Sequence, residues 1–269
     1  MLNKAICWVM KLHKSNRNFT WRKSRPPFEV ITDEQSDAYN EFGGFILPAA
    51  FSKGEIAELT EVLDPLELAS NELLRQMRDK RLNIARADEI VFRPHVVSAD
   101  TRVKDFACHP LLAGLCRDLV GSKPRLYWDQ IVYKRPETVV EFPWHQDNGY
   151  TFVQPQQYLT CWIALTDATR ENGCPWLAPG LHLRGTLHHD WTDLGYRCLD
   201  DDDLEPIPME LAAGSIAVFS SLSPHRTGPN LTQKTRKAYI LQYADDGAVI
   251  HLPDGSNAMA NDPERQFLV

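Results

Sequence analysis

No stretch of this 269-residue chain comes near the roughly 18 consecutive apolar residues that a membrane-spanning helix requires. The first apolar run, Ala5 to Met10, ends at Lys11 and is too short for the apolar core of a secretory signal. Cysteine is sparse, with Cys7, Cys108, Cys116, Cys161, Cys174 and Cys198 widely scattered and no C-x-x-C pair. That spacing argues against a disulfide framework and for free thiols in a reducing compartment. The expected location is therefore cytoplasmic. Acidic residues are missing from positions 1–28, which hold seven Lys or Arg. The chain's net charge is −7, so residues 29–269 carry −14 once the +7 of this segment is taken off. An acidic body argues against duplex nucleic acid as the main partner, because phosphate neutralisation needs a basic face. Residues 1–28 read as a flexible, solvated tail, with an organelle-targeting peptide or an anion-binding arm as alternatives.

Helical patterns dominate the first half of the remainder. Ile31–Gln35 reads as a helical turn leading into a strand at Phe45–Leu47. Ser52 with Glu55 is a capping-box signature, followed by Ile56, Leu59, Val62 and Leu63 at helical spacing. A second helix is expected from Leu66 to about Lys80, and a third from Lys104 to Val120, stopped by Gly121. From Arg125 the texture changes to short apolar runs, Leu126–Tyr133, Tyr158–Leu165, Ile216–Ser220 and Ala238–Tyr243, separated by Pro- and Gly-bearing turns. Helices first and strands afterwards indicate an α+β fold with a sandwich or jelly-roll core. The expected organisation is one domain over 29–269, with helices at about 52–120, a β core at about 125–245 and a C-terminal tail over 246–269. Asp200–Asp203 reads as a solvated loop, since no EF-hand spacing of ligands surrounds it.

Residues 144–150 read Trp-His-Gln-Asp-Asn-Gly-Tyr. If extended, this stretch sends His145 and Asp147 out of one face. A metal site needs a further ligand, and His225, just after the run Ile216–Ser220, has the most suggestive setting. Two imidazoles and one carboxylate on one face of a metal leave three positions open, as non-haem Fe(II) oxygenases require. A keto-acid such as 2-oxoglutarate can take two of them, and its distal carboxylate then needs a buried cation. Arg236 lies a short way downstream of His225, and a guanidinium matches a carboxylate with two parallel hydrogen bonds. Thr227 offers a hydroxyl beside it.

Taken together, Trp144-His145-Gln146-Asp147, Cys161-Trp162-Ile163-Ala164-Leu165, Asn172-Gly173-Cys174, Pro179-Gly180-Leu181-His182 and His225-Arg226-Thr227-Gly228-Pro229-Asn230 with Arg236 carry a family likeness. The sequence resembles the phytanoyl-CoA dioxygenase family of Fe(II)- and 2-oxoglutarate-dependent oxygenases over roughly Ile31 to Tyr243. The resemblance implies His145, Asp147 and His225 as iron ligands, and Arg236 with Thr227 as the holders of the distal carboxylate of 2-oxoglutarate. It implies Trp162 and Gln130 as walls of the co-substrate pocket. It further implies a double-stranded β-helix core, O2 as oxidant, a small-molecule substrate, and hydroxylation of an unactivated C–H bond with release of succinate and CO2. Leu181 departs from the small hydroxyl residue the family commonly has there.

Other histidines compete for these roles. His188 and Asp190 form a second H-x-D but lack an arginine at matching distance from a later histidine. His182 reads as a structural or pocket-wall residue, and His95 as a substrate contact or a surface loop residue. Two other classes stay open on the residues alone. One is a zinc-dependent hydrolase on the same three ligands, which has no use for Arg236. The other is a non-catalytic binding protein of the same fold.

Overall fold

The short apolar runs of the second half become strands in the computed structural model, which describes residues 10–200 and 205–269. In chain order the strands begin with β1 (Gly44–Leu47), β2 (Arg81–Leu82), β3 (Ala85–Arg86), β4 (Ile90–Pro94), β5 (Pro124–Lys134) and β6 (Phe142–His145). Next come β7 (Phe152–Gln154), β8 (Leu159–Ala164), β9 (Pro175–Leu177), β10 (Asp190–Thr192), β11 (Gly195–Arg197) and β12 (Ile207–Pro208). The last are β13 (Ile216–Ser220), β14 (His225–Thr227), β15 (Arg236–Asp245), β16 (Val249–His251) and β17 (Asn257–Met259). The helices are α1 (Asp33–Phe42), α2 (Lys53–Gln76), α3 (Thr101–Ala107), α4 (Pro110–Leu119) and the single turn α5 (Asp147–Tyr150).

An eight-stranded sheet of order β1-β13-β8-β15-β5-β4-β3-β2 and a four-stranded sheet of order β12-β9-β14-β6 build the expected jelly-roll core. The pleat of the large sheet decides what faces what. On β15, Tyr239, Leu241 and Tyr243 point outward and pack with Leu59 and Leu63 of α2 and Leu115 of α4. Ala238 and Ile240 point inward with Val132, Trp162 and Phe219, against Leu177 of the smaller sheet. Helices thus cover one face, while the other face is left to build a cavity.

Two helix boundaries differ from expectation. α2 is one helix through Pro65, with no break between Leu63 and Leu66. An interior proline costs about 3 kcal/mol through its lost N–H bond. Continuous burial of Leu59, Val62, Leu63, Glu67 and Leu74 on one face offsets that cost. The expected helix from Lys104 to Val120 is two, because Pro110 forces His109 out of helical conformation. His109 then caps α4, its Nδ1 accepting from the Leu111 N–H at 3.2 Å. Between α2 and α3, a region read as helical also contains β2, β3 and β4, which extend the large sheet.

The described part of the basic N-terminal segment is seated on the body, where a solvated tail was expected. His13 stacks on Phe152 at 4.8 Å, Trp21 meets His182 edge-on at 4.5 Å, and the Arg22 N–H donates to Gln157. Aromatic residues within this cationic stretch give it surface to bury, which charge counting alone overlooks. The C-terminal segment also docks: β16 pairs with β7 and β17, and Phe267 and Val269 pack against the main core. The five described cysteines are free, and Cys7 lies outside the described residues with most of the Ala5–Met10 run. Asp200 pairs with Arg197 at 3.1 Å, and the rest of the acidic run lies outside the described residues. No helix among the described residues is long and apolar enough to cross a membrane.

Candidate active site and metal centre

β6 and β14 are antiparallel neighbours in the small sheet, and their register places His225 opposite His145. The two imidazole centroids lie 4.1 Å apart. Asp147 reaches the same point differently from expectation. The extended backbone ends at His145, and Asp147 opens the helical turn α5, so the two converge across a strand-to-turn corner. His225 Nε2 lies 3.8 Å from Asp147 Oδ1. Ligand atoms of all three residues fall within 4.8 Å of one another, and they form the one such cluster of His, Cys, Asp or Glu found among the described residues.

Backbone carbonyls set the tautomers. His145 Nδ1 lies 2.8 Å from the Pro143 carbonyl oxygen, and His225 Nδ1 lies 3.0 Å from that of Ser223. A ring nitrogen facing a carbonyl must carry the hydrogen, which leaves each Nε2 lone pair free toward the shared point. Burial, reinforced by neighbouring His225, drives the His145 pKa well down, so its ring is neutral. Burial raises the pKa of Asp147, opposed by His225 and by side-chain donors from Thr160 and Gln242. The Thr160 hydroxyl donates to Asp147 Oδ2. Two imidazoles that present Nε2 and a desolvated carboxylate are a donor set that fits a divalent cation such as iron.

The cavity over this cluster has a volume of about 420 Å³. It is lined by all seven residues singled out in the sequence: His145, Asp147, His225, Arg236, Thr227, Trp162 and Gln130. Arg236 is 1% exposed, and its guanidinium sits 5.2 Å from the Trp162 ring centroid. Nη1 donates to the Val132 carbonyl at 3.3 Å, while Nε and Nη2 have no partner. Those two donors form one side of the guanidinium fork, the arrangement that grips a carboxylate in bidentate fashion. Burial pulls the Arg236 pKa down to about 10, still cationic at neutral pH. A buried donor pair left without a partner is costly, and a carboxylate is the kind of group that fits it.

The sequence profile of phytanoyl-CoA dioxygenases matches residues 39–238. The chain belongs to the phytanoyl-CoA dioxygenase family. It is 30% identical over 222 residues to a methylphosphonate hydroxylase of Gimesia maris, covering 80% of this chain and 81% of that one. It is 28% identical to the phytanoyl-CoA dioxygenase of Arabidopsis thaliana, covering 63% of this chain and 62% of that one. In fold it is similar to the non-heme alpha ketoglutarate dependent carbocyclase SnoK from nogalamycin biosynthesis, with TM-score 0.71 and 21% identity, covering 91% of this chain and 100% of that one. The chain is thus a dioxygenase that works with iron, 2-oxoglutarate and O2.

Several parts of the dioxygenase site escape sequence reasoning. Gln146 and Asn148 alternate with the two candidate ligands and are fully buried on the opposite side. The Gln146 amide donates to the Gly185 carbonyl at 3.0 Å, and its Oε1 accepts from the Leu187 N–H at 2.6 Å. Asn148 donates to Thr186 Oγ1 at 2.7 Å. His189 lies beneath this corner, its Nε2 accepting from the Gln146 N–H at 2.9 Å and its Nδ1 donating to the Leu187 carbonyl. Gly149 packs on that ring so closely that a Cβ would stand 2.1 Å from His189 Cε1. The available signal was the alternation itself, with uncharged amides between candidate ligands. Lys134 was also missed. It is buried and donates to the Val140 and Gly228 carbonyls, with Thr227 Oγ1 at 3.5 Å. Burial, then nearby Arg236, pushes its pKa well below the usual lysine value.

The competing histidines lie elsewhere. His188 pairs with Asp190 at 3.2 Å, away from the cluster. His182 is a core residue, its Nε2 3.3 Å from the Asn40 carbonyl. His95 packs edge-on against Trp128 at 4.4 Å, behind the cavity wall and not on it.

Proposed function

We propose that this dioxygenase hydroxylates an unactivated C–H bond of a small organic molecule, consuming O2 and 2-oxoglutarate and releasing succinate and CO2. The single observation that carries this reading is the buried Arg236 fork, with two donors unmatched, in the same cavity as the His145–Asp147–His225 cluster. In this reading His145 and His225 bind iron through Nε2 and Asp147 binds it through its carboxylate. Thr160 holds Asp147 Oδ2 and fixes the direction of the other oxygen. Arg236, with Thr227 beside it, takes the far carboxylate of 2-oxoglutarate, while Trp162 and Gln130 wall that end. Bound iron and co-substrate supply the oxidising equivalents from O2. The protein supplies orientation and a cavity that limits water.

Retention of Asp147 disfavours halogenation, which needs a coordination position freed by a small residue there. A zinc hydrolase on the same ligands leaves the Arg236 fork without a purpose. The test is iron-dependent decarboxylation of 2-oxoglutarate under air. Succinate and CO2 in equal amounts, lost in Asp147→Ala, are the expected result. Absence of succinate at any iron concentration, with zinc-supported hydrolysis instead, contradicts the proposal.

A further inference from the structure

The register of the large sheet divides the cavity into two chemically different ends. Arg236 stands opposite Lys134, at the end assigned above to the distal carboxylate of 2-oxoglutarate. Farther along β15, Gln242 stands opposite Trp128 on β5 and Thr160 on β8, beneath Asp147. In and beyond that row stand Trp128, Tyr127 and Tyr158, and Tyr150, Trp191 and Phe142, the last level with Thr227, complete an aromatic lining. The polar groups that accompany them, Asn83, Thr151 and Gln242, are uncharged.

Among the described lining residues the one Arg or Lys is Arg236, the two histidines belong to the metal cluster, and the one carboxylate is Asp147. All four are committed to co-substrate and metal in the function proposed above. Two arginines close to the cavity in the chain or by contact do not line it. Arg81 donates to the carbonyls of Asn83 and Asp193, and Arg197 pairs with Asp200 at 3.1 Å. A phosphonate or phosphate carried into this end would be desolvated and, among the described lining residues, would meet no cation left over from co-substrate binding, at prohibitive cost. A cationic substrate would likewise find no carboxylate besides Asp147 among the described lining residues. The rim continues the apolar character outward: Trp191 is 56% exposed although it lines the cavity, and Leu82, on the hairpin beside it, is 54% exposed.

We infer that the substrate of this site is an uncharged molecule with a flat apolar or aromatic body, held between aromatic walls and read at the mouth by Trp191. This class differs from the phosphonates and acyl-CoA thioesters for which several relatives are named. It rests on the iron and 2-oxoglutarate reading given above. Aromatic walls reward a planar apolar face, and the amides of Asn83 and Gln242 can each match a hydroxyl or carbonyl without a charge.

The test uses the full chain, loaded anaerobically with Fe(II) and 2-oxoglutarate, and three probes with one ring system: 1-naphthylmethanol, 1-naphthylmethylamine and 1-naphthylmethylphosphonate. Binding is read by calorimetry and by perturbation of the visible charge-transfer band. The loaded protein's own band reports on the underlying reading, so failure of that reading is seen before any probe is added. The alcohol is expected to bind at least tenfold tighter than the phosphonate and tighter than the amine. Trp191→Ala, at an exposed position, is expected to weaken the alcohol at least fivefold while leaving the iron and 2-oxoglutarate band in place. Equal or tighter binding of the phosphonate or the amine overturns the inference. So does a normal band with no binding of the alcohol, or an unchanged alcohol affinity in Trp191→Ala.

Discussion

Arg236 and Trp162 lie on adjacent strands of the large sheet, with the guanidinium carbon 5.2 Å from the indole centroid and no carboxylate partner among the described residues. Tryptophan gives the cation a face on which to rest but takes up none of its N–H donors. The guanidinium is therefore held in position with half of its fork unspent. That arrangement could receive a carboxylate without rearrangement.

Arg236→Lys removes the fork but keeps a positive charge. Affinity for 2-oxoglutarate should fall by about 1.5–3 kcal/mol, the worth of a charge-assisted hydrogen bond. Iron binding should be unchanged. Anaerobic titration of the unchanged protein and of Arg236→Lys with 2-oxoglutarate checks this, and equal affinities would remove Arg236 from the co-substrate site.

Asp147→Ala should abolish succinate formation while the protein stays folded, since the side chain lies at a cavity wall and its side-chain donors are Thr160 and Gln242, which line the same cavity. Circular dichroism and the decarboxylation assay separate the two effects. Full activity in this variant would rule out the three-residue cluster as the metal centre.

His189 touches no candidate ligand directly, yet it fixes the backbone between His145 and Asp147 through the Gln146 N–H. His189→Ala should weaken Fe(II) binding by about 10- to 100-fold, the usual effect of losing a group that orients a metal ligand. Gly149→Ala should do the same by driving a methyl into the ring. Anaerobic calorimetry with Fe(II) measures both, and wild-type affinity in both variants would refute the positioning role.

The strands were legible because β5, β8, β13 and β15 are the apolar runs of the second half, bounded by turn residues, and their pleat follows directly from period-two geometry. The metal cluster was legible because its ligands sit in motifs whose spacing few folds share. The alternation of His145 and Asp147 gave the right convergence from the wrong backbone, a corner where an extended strand was expected. The helices were read less well for a physical reason. Pro65 is tolerated inside α2 by tertiary burial, whereas Pro110 ends one helix and starts another, and local sequence does not separate the two cases. His189 and Lys134 were invisible because each is placed by a backbone group far away in the chain, the Gln146 N–H and the Gly228 carbonyl.

Asp129 gives a pH prediction independent of the metal. It is fully buried, and burial raises its pKa to about 7 despite donors from the Val97 N–H and the Tyr239 hydroxyl. An unfolded aspartate titrates near 3.9. Between these values the unfolded chain has lost its proton while the folded chain keeps it, so this group lowers stability as pH rises from about 4 to about 7. The contribution is on the order of a few kcal/mol. Asp129→Asn should flatten that part of the profile. Denaturant unfolding of both proteins at pH 5 and pH 8 measures it, and identical slopes would refute the assignment.

The central claim is that one cavity holds iron at His145, Asp147 and His225 and 2-oxoglutarate at Arg236. Its most direct test is anaerobic titration of the metal-free protein with Fe(II) and then 2-oxoglutarate, followed in the visible range. A saturable charge-transfer band that needs both additions, and that is shifted to higher 2-oxoglutarate concentration in Arg236→Lys, is the predicted result. No band, with neither iron nor 2-oxoglutarate retained by the protein, would contradict the account.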